Sequence, residues 1–374
     1  MKFTVSSSAL LSHLQAISRV INSKTSIPIL DSFLFRLEGA ALSMTASDTE
    51  TTLVTSMEVL NPEGEGIFAL SAKQLLDPLK DFPEQPLTFD IDKESMAVTL
   101  ISPYGKYCFV GQNGEEYPKL NDVKENATWF TPNAQQLLKG ITRTIFASAD
   151  DELRPVMNGI YFDMAPEGVT MVASDGHKLV KYTTTGVNSE MKTSFILPKK
   201  PANLLKNILP KEEGSIKVGF DDKNAVFILS SYRLSCRLID GRFPNYNSVI
   251  PQNNPNKVIV DRVSLMNSVK RVSSFSNQGT NLIKLFFQDN NVMITAQDLD
   301  FSTSGEETIS CQYDGNPLKI GFKATFLVEL LNNIPSSEVV LELADQSRAG
   351  IILPSENEEN EVLLTLLMPM MLND

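Results

Sequence analysis

The sequence contains few cysteines and histidines: three cysteines, Cys108, Cys236 and Cys311, and two histidines among 374 residues. The cysteines lie far apart, and each falls in an apolar run typical of a strand, so they predict neither a disulfide framework nor a zinc site. We expect all three to be buried thiols of a protein in a reducing compartment. We also expect no metal and no cofactor.

Long hydrophobic runs are missing as well. No apolar stretch approaches the roughly 20 residues that a helix needs to cross a bilayer, and the polar stretch after Met1 lacks the apolar region of a secretory signal. We therefore expect a soluble, cytoplasmic protein. The phosphate-loop pattern GxxxxGK[ST] is absent, so any ATP-driven step that involves this chain must be carried out by another protein.

What the sequence does contain is an internal repeat with a period of roughly 125 residues. The pentapeptide Met44–Asp48 returns as Met171–Asp175 and again as Ile294–Asp298. Each copy is preceded by a short strand and an amphipathic helix, and it is followed by a second strand and helix. The pattern predicts an α+β fold of three repeated modules, each with two helices packed on antiparallel sheets.

The predicted unit within a module is β-α-β-β, used twice, with about eight strands in all. Segments rich in Pro and Asn at 116–121 and 251–256 mark the joints between modules. We therefore place the modules at residues 1–122, 123–251 and 252–374. The alternative is a two-domain α+β protein whose periodicity is coincidental.

The net charge of −12 argues against a nucleic-acid partner, but the charges are unevenly distributed. The predicted helices span residues 7–22, 72–82, 132–147, 199–209, 262–275 and 323–333. They hold twelve basic and three acidic residues, a net charge of +9, so the rest of the chain carries −21. Helices accept Glu as readily as Lys or Arg, so helix propensity alone does not explain this separation.

A positive helix surface on an acidic protein predicts sequence-independent contact with duplex phosphates. The helices offer few aromatic side chains for base stacking and no recognition-helix or zinc-finger pattern. The helix cations that we expect to contact DNA are Lys73, Lys139, Arg143, Lys199, Lys200, Lys206, Lys270 and Arg271.

The number of helices also suggests an assembly. Twelve helices from two chains, spaced about 9.5 Å apart, would line a ring with an opening of about 26 Å. A duplex of roughly 20 Å would pass through it, whereas six helices would be too few. We expect a closed homodimer whose seam joins the first module to the third, with Tyr107, Phe109 and Phe275 as candidate seam residues. The alternative is that these three are ordinary core residues.

Several short motifs, taken together and in order, resemble the bacterial β sliding clamp family, the processivity subunit of the replicative DNA polymerase. The resemblance covers the whole chain and is carried by Met1–Phe3, Ile27–Leu30, Asn158–Gly159, Ala173–Leu179, Asp240–Tyr246 and Met368–Met370.

This resemblance implies a non-catalytic, head-to-tail homodimeric ring that encircles duplex DNA after an ATP-driven loader opens it. It also implies one pocket per chain, between the second and third modules, for peptides of the polymerase, the loader and other proteins. Such peptides carry a leading Gln and paired hydrophobic residues.

Residues that match family positions fall in two groups. Lys24 and Arg154 match loop positions that touch DNA. The pocket positions are Met157, Ser174, Gly176, His177, Lys178, Leu179, Pro244, Val249, Phe326, Leu366, Met368, Pro369 and Met370.

Two other functions compete with a DNA clamp. One is a hydrolase acting around Asp175 and His177, although no nucleophile or metal ligand lies at diagnostic spacing. The other is an acidic, β-rich oligomer unconnected with DNA. The apolar tail Leu366–Leu372 is equally consistent with a last core strand and with a groove of adaptable methionines.

Overall fold

The computed structural model describes residues 1–22, 26–119, 122–185 and 192–372. The α-helices in these ranges are α1 Ser7–Ser18, α2 Ala72–Leu79, α3 Ala134–Thr144, α4 Lys199–Ile208, α5 Arg262–Ser273 and α6 Ala324–Asn333. All six predicted helices are confirmed, but their ends differ by up to four residues. For example, α1 stops at Ser18 rather than at residue 22.

Short polar side chains begin several of these helices. The Ser6 hydroxyl accepts a hydrogen bond from the Ala9 N–H at the start of α1, and the Asp261 carboxylate accepts one from the Ser264 N–H at the start of α5. These caps satisfy N–H groups that have no partner within the helix.

The strands form three series. The first series is β1 Lys2–Ser6, β2 Ser32–Glu38, β3 Ala41–Ser47, β4 Thr51–Glu58, β5 Leu60–Glu63, β6 Gly66–Ser71, β7 Pro86–Ile91, β8 Ala97–Ser102, β9 Gly105–Val110 and β10 Gln112–Asn113. The second is β11 Thr128–Phe130, β12 Gly159–Ala165, β13 Gly168–Ser174, β14 Lys178–Thr184, β15 Thr193–Pro198, β16 Lys217–Phe220, β17 Asn224–Ile228 and β18 Tyr232–Arg237. The third is β19 Asn256–Asp261, β20 Leu282–Gln288, β21 Asn291–Asp298, β22 Thr303–Ser310, β23 Leu318–Lys323, β24 Glu338–Leu343, β25 Gly350–Pro354 and β26 Glu361–Leu367.

The same order of elements occurs three times. Each series reads β-α-β-β-β twice, and the first series adds the short strands β5 and β10. The predicted unit β-α-β-β was therefore one strand too short. The repeated pentapeptides lie at the ends of β3, β13 and β21, and their aspartates are the last residue of β21 and the first residue after β3 and β13. The module boundaries at residues 122 and 251 stay predictions.

The chain forms two compact units, and the first comprises Met1–Leu138 and Lys200–Leu238. It contains an antiparallel five-stranded sheet in the order β5-β1-β7-β8-β9. Its second sheet has nine strands in the order β10-β6-β2-β3-β4-β18-β17-β16-β11. Strands of the first and second series meet in this sheet, where β4 pairs with β18.

The second unit comprises Lys139–Lys199 and Ile239–Asp374. It contains an eight-stranded sheet in the order β15-β12-β13-β14-β26-β25-β24-β19 and a four-stranded sheet in the order β22-β21-β20-β23. Here β14 of the second series pairs with β26 of the third, with Leu179 opposite Leu366. Helices α5 and α6 pack against each other over a buried hydrophobic core. The candidate site lies near the pairing of β14 with β26.

One of the cysteine predictions was wrong. Cys236 and Cys311 are buried, but Cys108 is exposed because it lies on β9, one of the two outermost strands of the five-stranded sheet. Burial raises the pKa of the Cys236 thiol to about 12, so this thiol stays protonated and unreactive at neutral pH.

Candidate functional site

The second unit contains a cavity of about 320 Å³. Ten of the thirteen predicted pocket residues line it: Met157, Ser174, Gly176, His177, Lys178, Leu179, Pro244, Val249, Leu366 and Met368. Its floor is apolar, because Leu179 and Leu366 belong to a small buried cluster beneath it. A cavity of this size with apolar walls suits a few hydrophobic side chains better than a polar metabolite.

The turn from Ser174 to Lys178 forms one rim of the cavity and is held by its own hydrogen bonds. The Ser174 hydroxyl donates to the Lys178 carbonyl at 2.8 Å, and the Asp175 carboxylate accepts from the backbone N–H groups of His177 and Lys178 at 2.9 Å each. Gly176 has a φ of +89°, a conformation that favours glycine. A Cβ at that position would also lie 2.9 Å from the Arg154 guanidinium.

Lys178 is buried, and its ammonium is occupied by groups of the chain itself. It contacts the carboxylates of Asp175 at 2.7 Å and Glu329 at 3.2 Å and lies 4.5 Å from the centre of the Phe326 ring. Burial acts to raise the pKa of Asp175, but hydrogen bonds from Lys178 and from backbone N–H groups outweigh it and hold this pKa below its ordinary value. Lys178 thus fixes the rim, and its aliphatic stem is left to line the cavity.

Another part of the cavity wall is formed by three residues that sequence reasoning did not place in the pocket: Phe243, Asn245 and Tyr246. Phe243 stacks on Tyr161 with ring centres 4.8 Å apart. The Tyr246 hydroxyl donates to Asp163 at 2.8 Å, and burial raises its pKa. The motif 240–246 was already a family signature, so its aromatic residues were the signal that could have identified this wall.

The C-terminal segment closes one side of the cavity. The Met368 N–H donates to the His177 carbonyl at 2.8 Å, and the Met368 side chain lines the cavity. The tail thus combines both interpretations, because Leu366 and Leu367 end the buried strand β26 while Met368 lines the cavity.

Three predicted pocket residues, Phe326, Pro369 and Met370, do not line this cavity. Phe326 lies at the start of α6, where its ring faces His177 at 5.9 Å between centres and Lys323 at 4.7 Å. The backbone of Met370 instead pairs with β23.

Two helix cations that were predicted to contact DNA are engaged by carboxylates. Arg143 on α3 donates to both Glu361 and Glu358 at 2.7 Å, and Lys139 contacts Glu361 at 3.0 Å and Glu358. The side chains of Arg143 and Glu361 are only 11% and 5% exposed. A buried, paired guanidinium of this kind stabilises tertiary structure, and the DNA contact of Arg143 stays a prediction.

Four further cations of the predicted DNA surface also have acidic partners. Lys199 contacts Asp150 at 2.7 Å, and Arg154 contacts Asp151 at 2.8 Å. Lys200 contacts Asp48 and donates to the Val20 carbonyl. The Arg271 guanidinium contacts Glu307 at 2.6 Å and lowers the pKa of that carboxylate to about 2.

Three predicted DNA contacts remain unengaged. Lys73 on α2, Lys206 on α4 and Lys270 on α5 are exposed, and none has a carboxylate within 4.0 Å among the residues that the structure describes. Lys24, which was carried over from the family, lies outside the described residues. The strongest candidates for phosphate contact are therefore fewer than the helix charges suggested.

The predicted seam residues lie on or beside sheet edges. Tyr107 and Phe109 belong to β9, an outermost strand, and Tyr107 is 37% exposed. Phe275 follows α5, is 42% exposed and packs against Gly305 of β22, which is an outermost strand of the four-stranded sheet. Unpaired strand edges of this kind can pair with another chain.

The surroundings of His177 do not form a catalytic dyad. Its backbone N–H, rather than its ring, donates a hydrogen bond to Asp175, and the Asp175 carboxylate is already bonded to Lys178.

No cluster of three or more His, Cys, Asp or Glu side chains within the described ranges could hold a metal ion. None of the described helices is long and apolar enough to cross a membrane.

Comparison with known proteins identifies the family. The models of the N-terminal, central and C-terminal domains of the DNA polymerase III beta subunit match residues 1–121, 132–245 and 247–371. The chain therefore belongs to the DNA polymerase III beta subunit family.

Named relatives and solved structures agree over the full length. The Beta sliding clamp of Haemophilus influenzae is 28% identical over 375 residues, covering 100% of both chains. That of Escherichia coli is 26% identical over 368 residues, covering 95% of this chain and 99% of the relative. The crystal structure of a sliding clamp from Bartonella birtlesii bound to griselimycin has a TM-score of 0.93 at 26% identity, covering 100% of both chains.

The predicted resemblance and the predicted function are thereby confirmed: the chain acts as a DNA sliding clamp in processive replication. Its architecture is the three-domain clamp fold of helices and antiparallel sheets.

Proposed function

We propose that two copies of this chain close head to tail into a ring around duplex DNA. We further propose that each copy offers the cavity at the Ser174–Lys178 turn to peptide segments of the replicative polymerase, the clamp loader and other replication proteins. The observation that carries the second proposal is that ten carried-over positions, far apart in sequence, line one apolar cavity. In this proposal the chain performs no chemistry and acts in the cytoplasm.

The peptide is expected to bind by its hydrophobic side chains. The cavity is walled by aliphatic, aromatic and methionine side chains, while Lys178 and Asp175 are already bonded to each other. Such walls favour a short extended segment whose apolar side chains fill the space. A leading Gln would find polar groups only at the rim, near His177 and Asn245.

The pocket can be tested with a synthetic Gln-Leu-x-Leu-Phe-type peptide in calorimetry. We expect His177→Ala to weaken binding about tenfold, because the substitution removes one wall of a desolvated site. The matched control is His13→Ala, which changes the only other histidine and lies in the first unit. Unchanged affinity in His177→Ala would remove this residue from the proposed pocket.

The ring can be tested by mass in solution. Light scattering should give twice the chain mass of 41.4 kDa. Phe275→Arg should yield monomers, because it places a charge on the proposed apolar seam. Leu153→Arg, at a residue that is 91% exposed, controls for the added charge. A wild-type monomer, or an unchanged dimer in Phe275→Arg, would count against the ring or against this seam, respectively.

We propose that the exposed cations Lys73, Lys206 and Lys270 contact the duplex without reading its sequence. Each is a flexible point charge on a helix, which suits transient phosphate contact. The ion-paired cations of α3 are assigned a structural role instead.

A further inference from the structure

The C-terminal segment after β26 is attached to the second unit at two points. The first is the hydrogen bond from the Met368 N–H to the His177 carbonyl at 2.8 Å. The second is the hydrogen bond from the Met370 N–H to the Gly321 carbonyl, also at 2.8 Å, which makes an isolated antiparallel bridge to β23. The segment is therefore anchored at both of these points, and Met368 lines the cavity.

Gly321 makes the second attachment possible because it has no side chain. A Cβ at this position would lie 2.6 Å from Leu372 Cδ2, 2.9 Å from the Met370 carbonyl oxygen and 3.0 Å from Leu282 Cδ1. The 2.9 Å contact is with backbone, so a rotamer change cannot relieve it. Any larger residue at 321 must push the C-terminal segment away from the sheet edge.

The attachment to β23 matters because parts of this segment are exposed to solvent. Met371 is 72% exposed and Met368 is 41% exposed, and chain ends without anchors are ordinarily mobile. A mobile Met368 would have to be ordered each time a ligand entered the cavity, and that ordering would reduce affinity.

We propose that Gly321 is a positioning residue for the peptide pocket: it seats the C-terminal segment on β23 and thereby pre-orders Met368 in the cavity wall. Gly321 does not line the cavity itself. This inference rests on the proposed function of the cavity as a peptide site, and it adds a determinant that lies outside that site.

Two variants of the full-length chain test whether the contact between Gly321 and Met370 orders the C-terminal segment. Gly321→Val blocks this contact sterically. Met370→Pro removes the N–H that donates to Gly321 and changes no residue of the four-stranded sheet. Both should weaken a Gln-Leu-x-Leu-Phe-type peptide about tenfold in calorimetry, since each frees Met368. Both should also speed hydrogen exchange at the Met368 amide by at least about tenfold, because a released segment is open to solvent. Met371→Ala, at an exposed tail residue, should change neither.

The double variant separates positioning from simple destabilisation. If both changes act by releasing the same segment, Gly321→Val combined with Met370→Pro should bind no more weakly than either single variant. Additive losses, or wild-type affinity in either single variant, would overturn the inference. A wild-type chain that takes up no peptide would instead contradict the proposed function. Hydrogen exchange at the Met368 amide would still report whether Gly321 orders the C-terminal segment.

Discussion

Two sets of helix cations in this chain have different surroundings. Lys139 and Arg143 on α3 meet the carboxylates of Glu358 and Glu361, which come from the loop before β26 and from its first residue. Lys206 and Lys270, on α4 and α5, are exposed and have no described carboxylate within 4.0 Å. Charge counted along a helix therefore overstates the charge that the helix can offer to a polyanion.

The two sets of cations should therefore have different roles. A buried ion pair between distant segments holds tertiary structure together, and losing one partner leaves a charge without compensation. An exposed lysine adds little stability but can neutralise a phosphate and release a counterion. The following changes are ordered by the size of the effect that we expect.

Arg143→Ala should give the largest effect. It removes the guanidinium from the 5% exposed carboxylate of Glu361, which keeps the more exposed Lys139 as a partner, so we expect the free energy of unfolding to fall by about 2 kcal/mol. Urea unfolding followed by circular dichroism measures this change. Lys206→Ala is the comparison and should stay within about 0.5 kcal/mol of wild type. Equal stability of the two variants would contradict the distinction between structural, ion-paired cations and exposed cations.

Lys270→Ala should alter DNA binding rather than stability. Removing one phosphate contact should reduce the slope of log affinity against log salt concentration by about 1 for a short duplex. Lys139→Ala removes a cation that is already paired with Glu358 and Glu361, so its slope should stay close to that of wild type. A drop in slope for Lys139→Ala as large as that for Lys270→Ala would indicate that Lys139 on α3 also contacts DNA.

Glu358→Gln sharpens the comparison by freeing a cation. The Glu358 side chain is 48% exposed, and its loss should leave Lys139 with the single partner Glu361. We expect duplex affinity at low salt to rise by about twofold, as befits one partly exposed charge. Glu356→Gln provides a control of equal charge on the same loop. An equal gain in the control would show a general effect of net charge.

The smallest expected effect concerns pH. Hydrogen bonds from Lys139 and Arg143 hold the pKa of Glu358 below its ordinary value. Because the native pKa is depressed, this group stabilises the fold above the ordinary carboxyl pKa of about 4.3, and the contribution is lost as the pH falls through the native value. The contribution should amount to a fraction of about 1 kcal/mol, since the side chain is half exposed.

Unfolding free energies of wild type and Glu358→Gln, measured from pH 7 down to pH 3, should therefore converge toward the acid end. A gap between them that stays constant over this range would contradict the assigned ion pair.

The repeat, the helices and the pocket turn could be predicted from the sequence because their signals are local. Apolar periodicity specifies which face of a helix is buried, and the short segment 173–179 contains both the strand and the glycine that its turn requires. Family positions then identified most of the cavity lining.

The partners of the charged groups could not be predicted. Lys139 and Glu358 are 219 residues apart in sequence, and no periodicity links a lysine on α3 to a loop before β26. The exposure of Cys108 likewise depends on β9 being outermost in its sheet. Phe326 was assigned to the pocket by position, yet its ring lies against Lys178, Lys323 and His177, outside the cavity.

The central claim is that two chains enclose a duplex, and the most direct measurement is topological. The labelled protein is loaded onto nicked circular DNA by an active clamp loader, and the DNA is then linearised. We predict retention on the circle and release from the ends once they exist, because a closed ring held by non-specific contacts slides. Failure to stay on circles, with a loader that places another clamp there, would contradict the account.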